Sequence, residues 1–215
     1  MVEIYLDGAS LEVIDKYATD PRISGFTTNP SIMKKAGIKK YRDFAKEVLK
    51  LVRGKPVSFE VLGDSFLEME DQARVIARWG DNVWVKIPIT NTAGISSIGV
   101  IKACKSLNLN ITAVTSQSQI RAINQYLREG HIVSVFCGRV MDTGRPPPVC
   151  YTPAHLLWAS PREVYNVVQA QEMGYNIITL TPDLIAKLSL KDKDLAEYSL
   201  ETVRQFYEDG KCLEF

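Results

Sequence analysis

Histidine is almost missing from this chain of 215 residues, which holds two, His131 and His155. So few imidazoles leave little material for a His-based catalytic triad or a His-built metal centre. The four cysteines, Cys104, Cys137, Cys150 and Cys212, form no Cys-x-x-Cys pair and have no histidines at zinc spacing. They read as reduced thiols of a cytoplasmic protein. Charge of one sign is also missing: the net charge is +1, too balanced for nucleic acid or an anionic membrane to be the main partner. No apolar run approaches the roughly 18 residues that a membrane helix needs. The opening Met-Val-Glu-Ile-Tyr-Leu-Asp lacks the basic-then-apolar pattern of a secretory signal. No Gly-x-Gly-x-x-Gly or Walker-type loop offers a nucleotide cradle. Any phosphate site therefore has to be built locally.

What the chain does contain is alternation. Short β-like runs occur at Glu3–Asp7, Ile23–Asn29, Pro56–Leu62, Val83–Ile89, Asn110–Thr115, Ile132–Gly138, His155–Ser160 and Asn176–Thr181. Between most of them, apolar residues recur at helical spacing, as in Leu67, Met69, Ala73, Ile76 and Ala77, or Ile95, Ile98, Ile101 and Cys104. Glycines after Arg53, Trp79, Glu129 and Met173 separate helix from following strand. Eight such units in this length predict an α/β fold, a compact TIM-type (β/α)₈ barrel forming a single domain over residues 1–215. An open doubly wound sheet is the alternative. The segment from Asp142 to Thr152 breaks the pattern, because Pro146, Pro147 and Pro148 forbid a regular helix. The helix between strands six and seven is thus expected to be shortened or absent. Pro182–Leu190 reads as a helix, and Lys193–Glu208 as a further amphipathic one that must pack on its own barrel or on another subunit.

One residue contradicts its surroundings. Lys86 lies in Val-Trp-Val-Lys-Ile-Pro-Ile-Thr (83–90), an amine inside an otherwise apolar strand. Such a lysine must snorkel to water, pair with an acid, or give up its proton, and the last leaves a nucleophilic amine. Strand alternation puts Trp84, Lys86 and Pro88 on one face, and Val83, Val85, Ile87 and Ile89 on the face that meets helices. Other polar residues gather at the C-terminal ends of strands, where a barrel carries its active site. These are Asp7, Asn29, Glu60, Asn110, Thr112, Ser134 with Arg139, and Ser160 with Arg162. Each alone has a structural explanation as a cap, turn or strand filler; together at one rim they do not.

The same residues carry a family resemblance. Leu6-Asp7, Thr27-Thr28-Asn29-Pro30-Ser31, Val85-Lys86-Ile87-Pro88, Asn110-Ile111-Thr112, Ser134-Val135-Phe136-Cys137-Gly138-Arg139 and Ala159-Ser160-Pro161-Arg162 resemble the ordered motifs of small transaldolases, a group that includes the fructose-6-phosphate aldolases. The resemblance implies a Schiff-base nucleophile at Lys86, with Glu60 and Thr112 holding a proton-shuttling water and Asp7 exchanging the proton of the hydroxyl beside the breaking C–C bond. It implies that Asn29, Asn110 and Ser134 bind a dihydroxyacetone unit, with Thr27 and Phe136 in the same substrate site. Arg139, Ser160 and Arg162 would hold a terminal phosphate. Glu60 and Phe136 resemble transaldolases, whereas the aldolases tend to carry glutamine and tyrosine there. Val135, Gly8, Thr115 and Pro161 depart from the usual pattern. The expected activity is transfer of a dihydroxyacetone unit between sugar phosphates, without metal or organic cofactor, in a homo-oligomer (a pentamer or decamer) whose residues 191–215 contact a neighbouring subunit. A fructose-6-phosphate-type aldolase and a non-catalytic sugar-phosphate-binding barrel are the alternatives.

Overall fold

The computed structural model describes residues 1–214. Eight parallel strands close into a barrel in chain order: β1 (Glu3–Asp7), β2 (Ile23–Thr27), β3 (Val57–Glu60), β4 (Val83–Pro88), β5 (Leu109–Val114), β6 (Ile132–Val135), β7 (His155–Trp158) and β8 (Ile177–Leu180). The helices are α1 (Leu11–Ala18), α2 (Pro30–Lys35), α3 (Tyr41–Leu51), α4 (Phe66–Ala77), α5 (Ile98–Ala103), α6 (Gln117–Ile123), α7 (Cys137–Met141), α8 (Tyr165–Glu172), α9 (Pro182–Lys187) and α10 (Leu195–Gly210). The TIM-type barrel expected from the alternation is the observed fold.

Two apolar cores follow from the two faces of each strand. Val83, Val85, Ile87 and Ile89 join the large cluster between barrel and helices. Tyr5, Ile132, Leu157, Ala159 and Ile177 form a separate small cluster, with Trp84 and Phe136 packed on it. This second cluster fills the lumen, and residues on the same strand faces nearer the C-terminal rim are polar. Gly25 makes room inside, since a Cβ there would lie 2.6 Å from the Tyr5 ring.

Strand ends are where the chain departs from the period-two reading. β2 stops at Thr27 because Asn29 caps α2, its Oδ1 accepting from the Ile32 N–H at 3.0 Å, and Pro30 pre-sets the first helical turn. β6 stops at Val135, and Cys137-Gly138-Arg139 opens α7 instead of extending the strand. In α4, Met69, Ala73 and Ile76 are buried, but Leu67 is exposed, as is Ile95 ahead of α5.

As the prolines demand, α7 is only five residues long, and an irregular strap leads from it to β7. Side chains from elsewhere pin that strap. The Tyr175 hydroxyl donates to the Pro148 carbonyl at 2.6 Å, Asn124 Nδ2 donates to the Tyr151 carbonyl at 2.8 Å, and Gln117 Nε2 donates to the Val149 carbonyl. After α9 and one 3₁₀ turn (Leu188–Leu190), α10 has no buried residue, and Leu195, Val203, Phe206 and Tyr207 all face solvent. No helix among the described residues is long and apolar enough to cross a membrane.

Candidate active site

A cavity of about 560 Å³ opens at the C-terminal mouth of the barrel, lined by residues from all eight β-units. Lys86 stands in its floor, 5% exposed. The neighbouring strands set its surroundings: Glu60, Lys86 and Asn110 are register partners across β3, β4 and β5. The Lys86 Nζ lies 3.1 Å from Glu60 Oε2 and donates to the Thr28 carbonyl at 2.7 Å. The amine therefore points into the lumen, and its closest acid belongs to the adjacent strand. Removing one partner of so enclosed a pair leaves an uncompensated charge, which ties the position of each to the other.

Asp7 closes β1 on the other side of the same mouth and is register partner to Thr27. The Thr27 hydroxyl donates to Asp7 Oδ1 at 2.8 Å. Burial raises the Asp7 pKa above the ordinary carboxylate value; the Lys86 charge and the Thr27 hydrogen bond oppose that rise, and Glu60 adds to it. A carboxyl held more basic than usual is better suited to taking a proton from an alcohol and giving it back.

Thr112 lines the cavity from β5, and its hydroxyl is buried with no hydrogen-bond partner among the described residues. Local strand geometry aims it: the β5–β6 register shifts between Ile111 and Val114, and Ala113 takes φ of 60°. Such bulges redirect side chains, and a non-glycine residue in this region stores strain. Ser134 lines the cavity from β6, donating to Asn110 Oδ1 at 2.7 Å. Asn110, which accepts that bond, is set deeper. It is fully buried, off the cavity wall, its amide donating to Ser58 Oγ at 3.1 Å. It supports Ser134 from beneath. Asn29 reaches the wall, but its side chain is engaged in capping α2.

Phe136, Arg139, Ser160 and Arg162 form the opposite wall. The Arg139 guanidinium sits 4.7 Å from the centre of the Phe136 ring, a cation–π contact that holds it over the cavity. Ser160 has φ of 61°. Its carbonyl passes so close to Gly138 that a Cβ there would lie 1.6 Å from the oxygen, so the α7 start and the loop after β7 fit only around glycine. The Arg162 guanidinium pairs with Asp142, which lies just past α7. That contact holds the Asp142 carboxyl below its usual pKa.

Four contributors escaped the sequence reading: the Thr28 carbonyl, Asp142, Lys35 at the rim, and Thr179 of β8. Thr179 carried a usable signal, a lone hydroxyl on the same strand face as lumen-filling Ile177. Asp142 carried none, since its value depends on a loop that meets it only in space.

With this geometry in view, the comparisons are specific. A family model described as Transaldolase/Fructose-6-phosphate aldolase matches residues 4–154. The chain belongs to this family. A protein of Nitrosopumilus maritimus named "Probable transaldolase" is 33% identical over 205 residues, covering 87% of each chain. A Thermoplasma acidophilum protein with the same name is 29% identical and covers 99% of this chain and 100% of its own. Among solved structures, a putative lyase/mutase from Burkholderia cenocepacia superposes with a TM-score of 0.61 at 12% identity, covering 97% of this chain and 84% of that one. The 3-hexulose-6-phosphate synthase of Salmonella typhimurium gives 0.56 at 12% identity, covering 84% and 89%. These last two share the fold.

Proposed function

We propose that this member of the family is a transaldolase that moves a dihydroxyacetone unit from a ketose phosphate to an aldose phosphate through an imine on Lys86. The observation that carries the reading is the enclosed amine, 3.1 Å from Glu60 and sharing one cavity with Asp7. The Lys86 proton passes to Glu60, and the freed amine attacks the ketose carbonyl carbon. Glu60 then returns a proton through a water held on the otherwise unpartnered Thr112 hydroxyl, so that the carbinolamine loses water and becomes an iminium. Asp7 takes the proton of the neighbouring substrate hydroxyl as the C–C bond breaks. The bond's electrons move into the iminium, giving an enamine on Lys86 and a free aldehyde. Attack of the enamine on a second aldehyde, with the proton returned from Asp7, reverses the sequence.

Group transfer is favoured over simple cleavage by Phe136. The ring offers no hydroxyl to protonate the enamine, so the three-carbon unit waits for an acceptor. Arg139, Ser160 and Arg162 supply donors for a terminal phosphate, Arg as a planar fork. The exposed apolar face of α10 suits a neighbouring subunit in a homo-oligomer.

Borohydride reduction in the presence of fructose 6-phosphate, followed by peptide mass mapping, tests the reading. Label is expected on Lys86 and is expected to vanish in Lys86→Met. Label on another residue, or none with any ketose phosphate, removes the mechanism.

A further inference from the structure

We propose that Thr179 is a positioning residue for the reaction, because its hydroxyl fixes the direction of a hydrogen-bond chain that ends on Asp7 Oδ1 and leaves Oδ2 to exchange the substrate proton. The proposal deepens the transaldolase reading and rests on it.

Thr179 lies in β8, 4% exposed, and lines the cavity. Its Oγ1 is 2.5 Å from Thr27 Oγ1, which lies 2.8 Å from Asp7 Oδ1. A threonine hydroxyl has one proton. Thr27 spends its proton on Asp7, so the Thr27–Thr179 contact can be made only if Thr179 donates. The order is therefore Thr179 to Thr27 to Asp7, each donor polarised by the ionised carboxylate at the end. Three strands fix it, β8, β1 and β2, and β1 lies between the other two in the sheet.

This order has a chemical consequence. With Oδ1 occupied by Thr27, a proton taken from the substrate goes to Oδ2, towards which no donor among the described residues is directed. The chain can then keep its direction through proton uptake and return, so no hydroxyl has to turn when the C–C bond breaks. Preorganised donors of this kind lower a barrier because they do not reorganise during the reaction. Had Oδ1 taken the proton instead, Thr27 would have to accept from Asp7 and donate to Thr179, reversing both bonds. The charged groups that bear on Asp7 are Lys86 from β4 and Glu60 from β3, with Lys35, Arg139 and Arg162 further out on the cavity wall.

The test compares Thr179→Val, Thr179→Ser, Thr27→Val and the double variant Thr27→Val/Thr179→Val. Thr179→Val is expected to lower kcat by roughly tenfold, the loss of about one hydrogen bond, with KM little changed. The acid limb of its kcat–pH profile moves to higher pH, because Asp7 loses support for its ionised form. Thr179→Ser returns most of the rate. The double variant is no slower than Thr27→Val alone, since Thr179 acts through Thr27. Borohydride trapping of the ketose on Lys86 continues in all four, because imine formation precedes the step that uses Asp7. A serine variant as slow as the valine one overturns the relay, and so do losses that multiply in the double variant. Trapping that fails in the unaltered protein overturns the Schiff-base reading; trapping that succeeds while Thr179→Val keeps full kcat and an unmoved profile overturns the relay alone.

Discussion

Gly138→Ala is expected to separate the wall proposed to bind phosphate from the proposed chemistry at Lys86. The new methyl carbon would start 1.6 Å from the Ser160 carbonyl oxygen, 2.8 Å from the carbonyl carbon and 3.3 Å from Arg162 Nε. Ordinary contact needs about 3.5 Å, so the loop after β7 has to retreat by close to 2 Å, or α7 by as much. Neither can yield cheaply. Ser160 already has φ of 61°, and the register of β6 with β7, Val135 opposite Trp158, anchors both loops only two residues before Cys137 and Ser160. Overpacking of this kind costs about 1–3 kcal/mol of stability, and displacement of a substrate-holding group by about 1 Å costs on the order of 10²-fold in rate. Lys86, Glu60 and Asp7 belong to β4, β3 and β1 and do not touch the strained junction. The expected result is a fall of about 100-fold in kcat/KM for fructose 6-phosphate, while dihydroxyacetone, which has no phosphate, is still trapped on Lys86 by borohydride. A folded variant with unchanged kcat/KM for the phosphorylated sugar would refute the reasoning. So would equal loss of both readouts, since that would mean that this wall is not separable from the amine.

Three further outcomes follow from buried charge and exposed apolar surface. Burial holds the Asp7 pKa up, so its ionised form opposes folding at neutral pH, and the stability it supplies is lost as pH rises through its raised folded pKa. Asp7→Asn keeps an acceptor for Thr27 and is expected to abolish turnover while raising Tm at pH 7, about 2–4 °C for each kcal/mol recovered; a lower Tm in calorimetry would contradict it. Burial, with help from Arg128, pushes the His131 pKa down from 6.5 to about 4, so the stability it supplies is full above the unfolded value and falls as the solution is acidified. Linkage gives a loss of about 2 kcal/mol between roughly pH 7.5 and pH 5, which urea titrations should show in the unaltered protein and not in His131→Gln. Ending the chain before α10, at Lys191, is expected to lower the mass seen by light scattering from an oligomer to a smaller species, and an unchanged mass would remove α10 from the interface.

Much of the fold was legible because a barrel of parallel strands repeats one simple instruction eight times. Apolar runs, helical spacing and a glycine at four of the returns are local properties, and Gly54, Gly130 and Gly174 indeed take positive φ after their helices. Strand ends were less legible, because capping competes with pairing there. Asn29 looks like a strand residue by pattern and is a cap by hydrogen bond. Lys86 was legible as a charge in the wrong place. The supporting contacts were not: Asn110 reads the same in sequence whether it faces the cavity or lies beneath it, and Asp142 meets Arg162 only because a proline-stiffened strap replaces most of a helix. What the chain cannot write locally is which neighbour each side chain finds.

The cavity divides along the barrel in a way that bears on how such a site works. Lys86, Glu60, Asp7 and the Thr27–Thr179 pair come from β8 and β1 to β4, while Phe136, Arg139, Ser160 and Arg162 come from the ends of β6 and β7. The acids need dry, rigid strand positions to keep their distances to the amine. The arginines need reach and sit beyond the strand ends, Arg139 in α7 and Arg162 in the loop after β7. Arg162 is already turned and held by Asp142, and both side chains are about half exposed, 52% and 53%. An ion pair that open is weak, so under the proposed function releasing it would oppose phosphate binding little, yet it would spare the arginine side chain part of the ordering that capture of a free phosphate requires. Under the proposed function Asp142 would thus act on Arg162 before the substrate arrives, as Thr179 is proposed to act on Asp7. In both cases the orienting residue acts through a neighbouring side chain, Thr179 through Thr27 and Asp142 through Arg162.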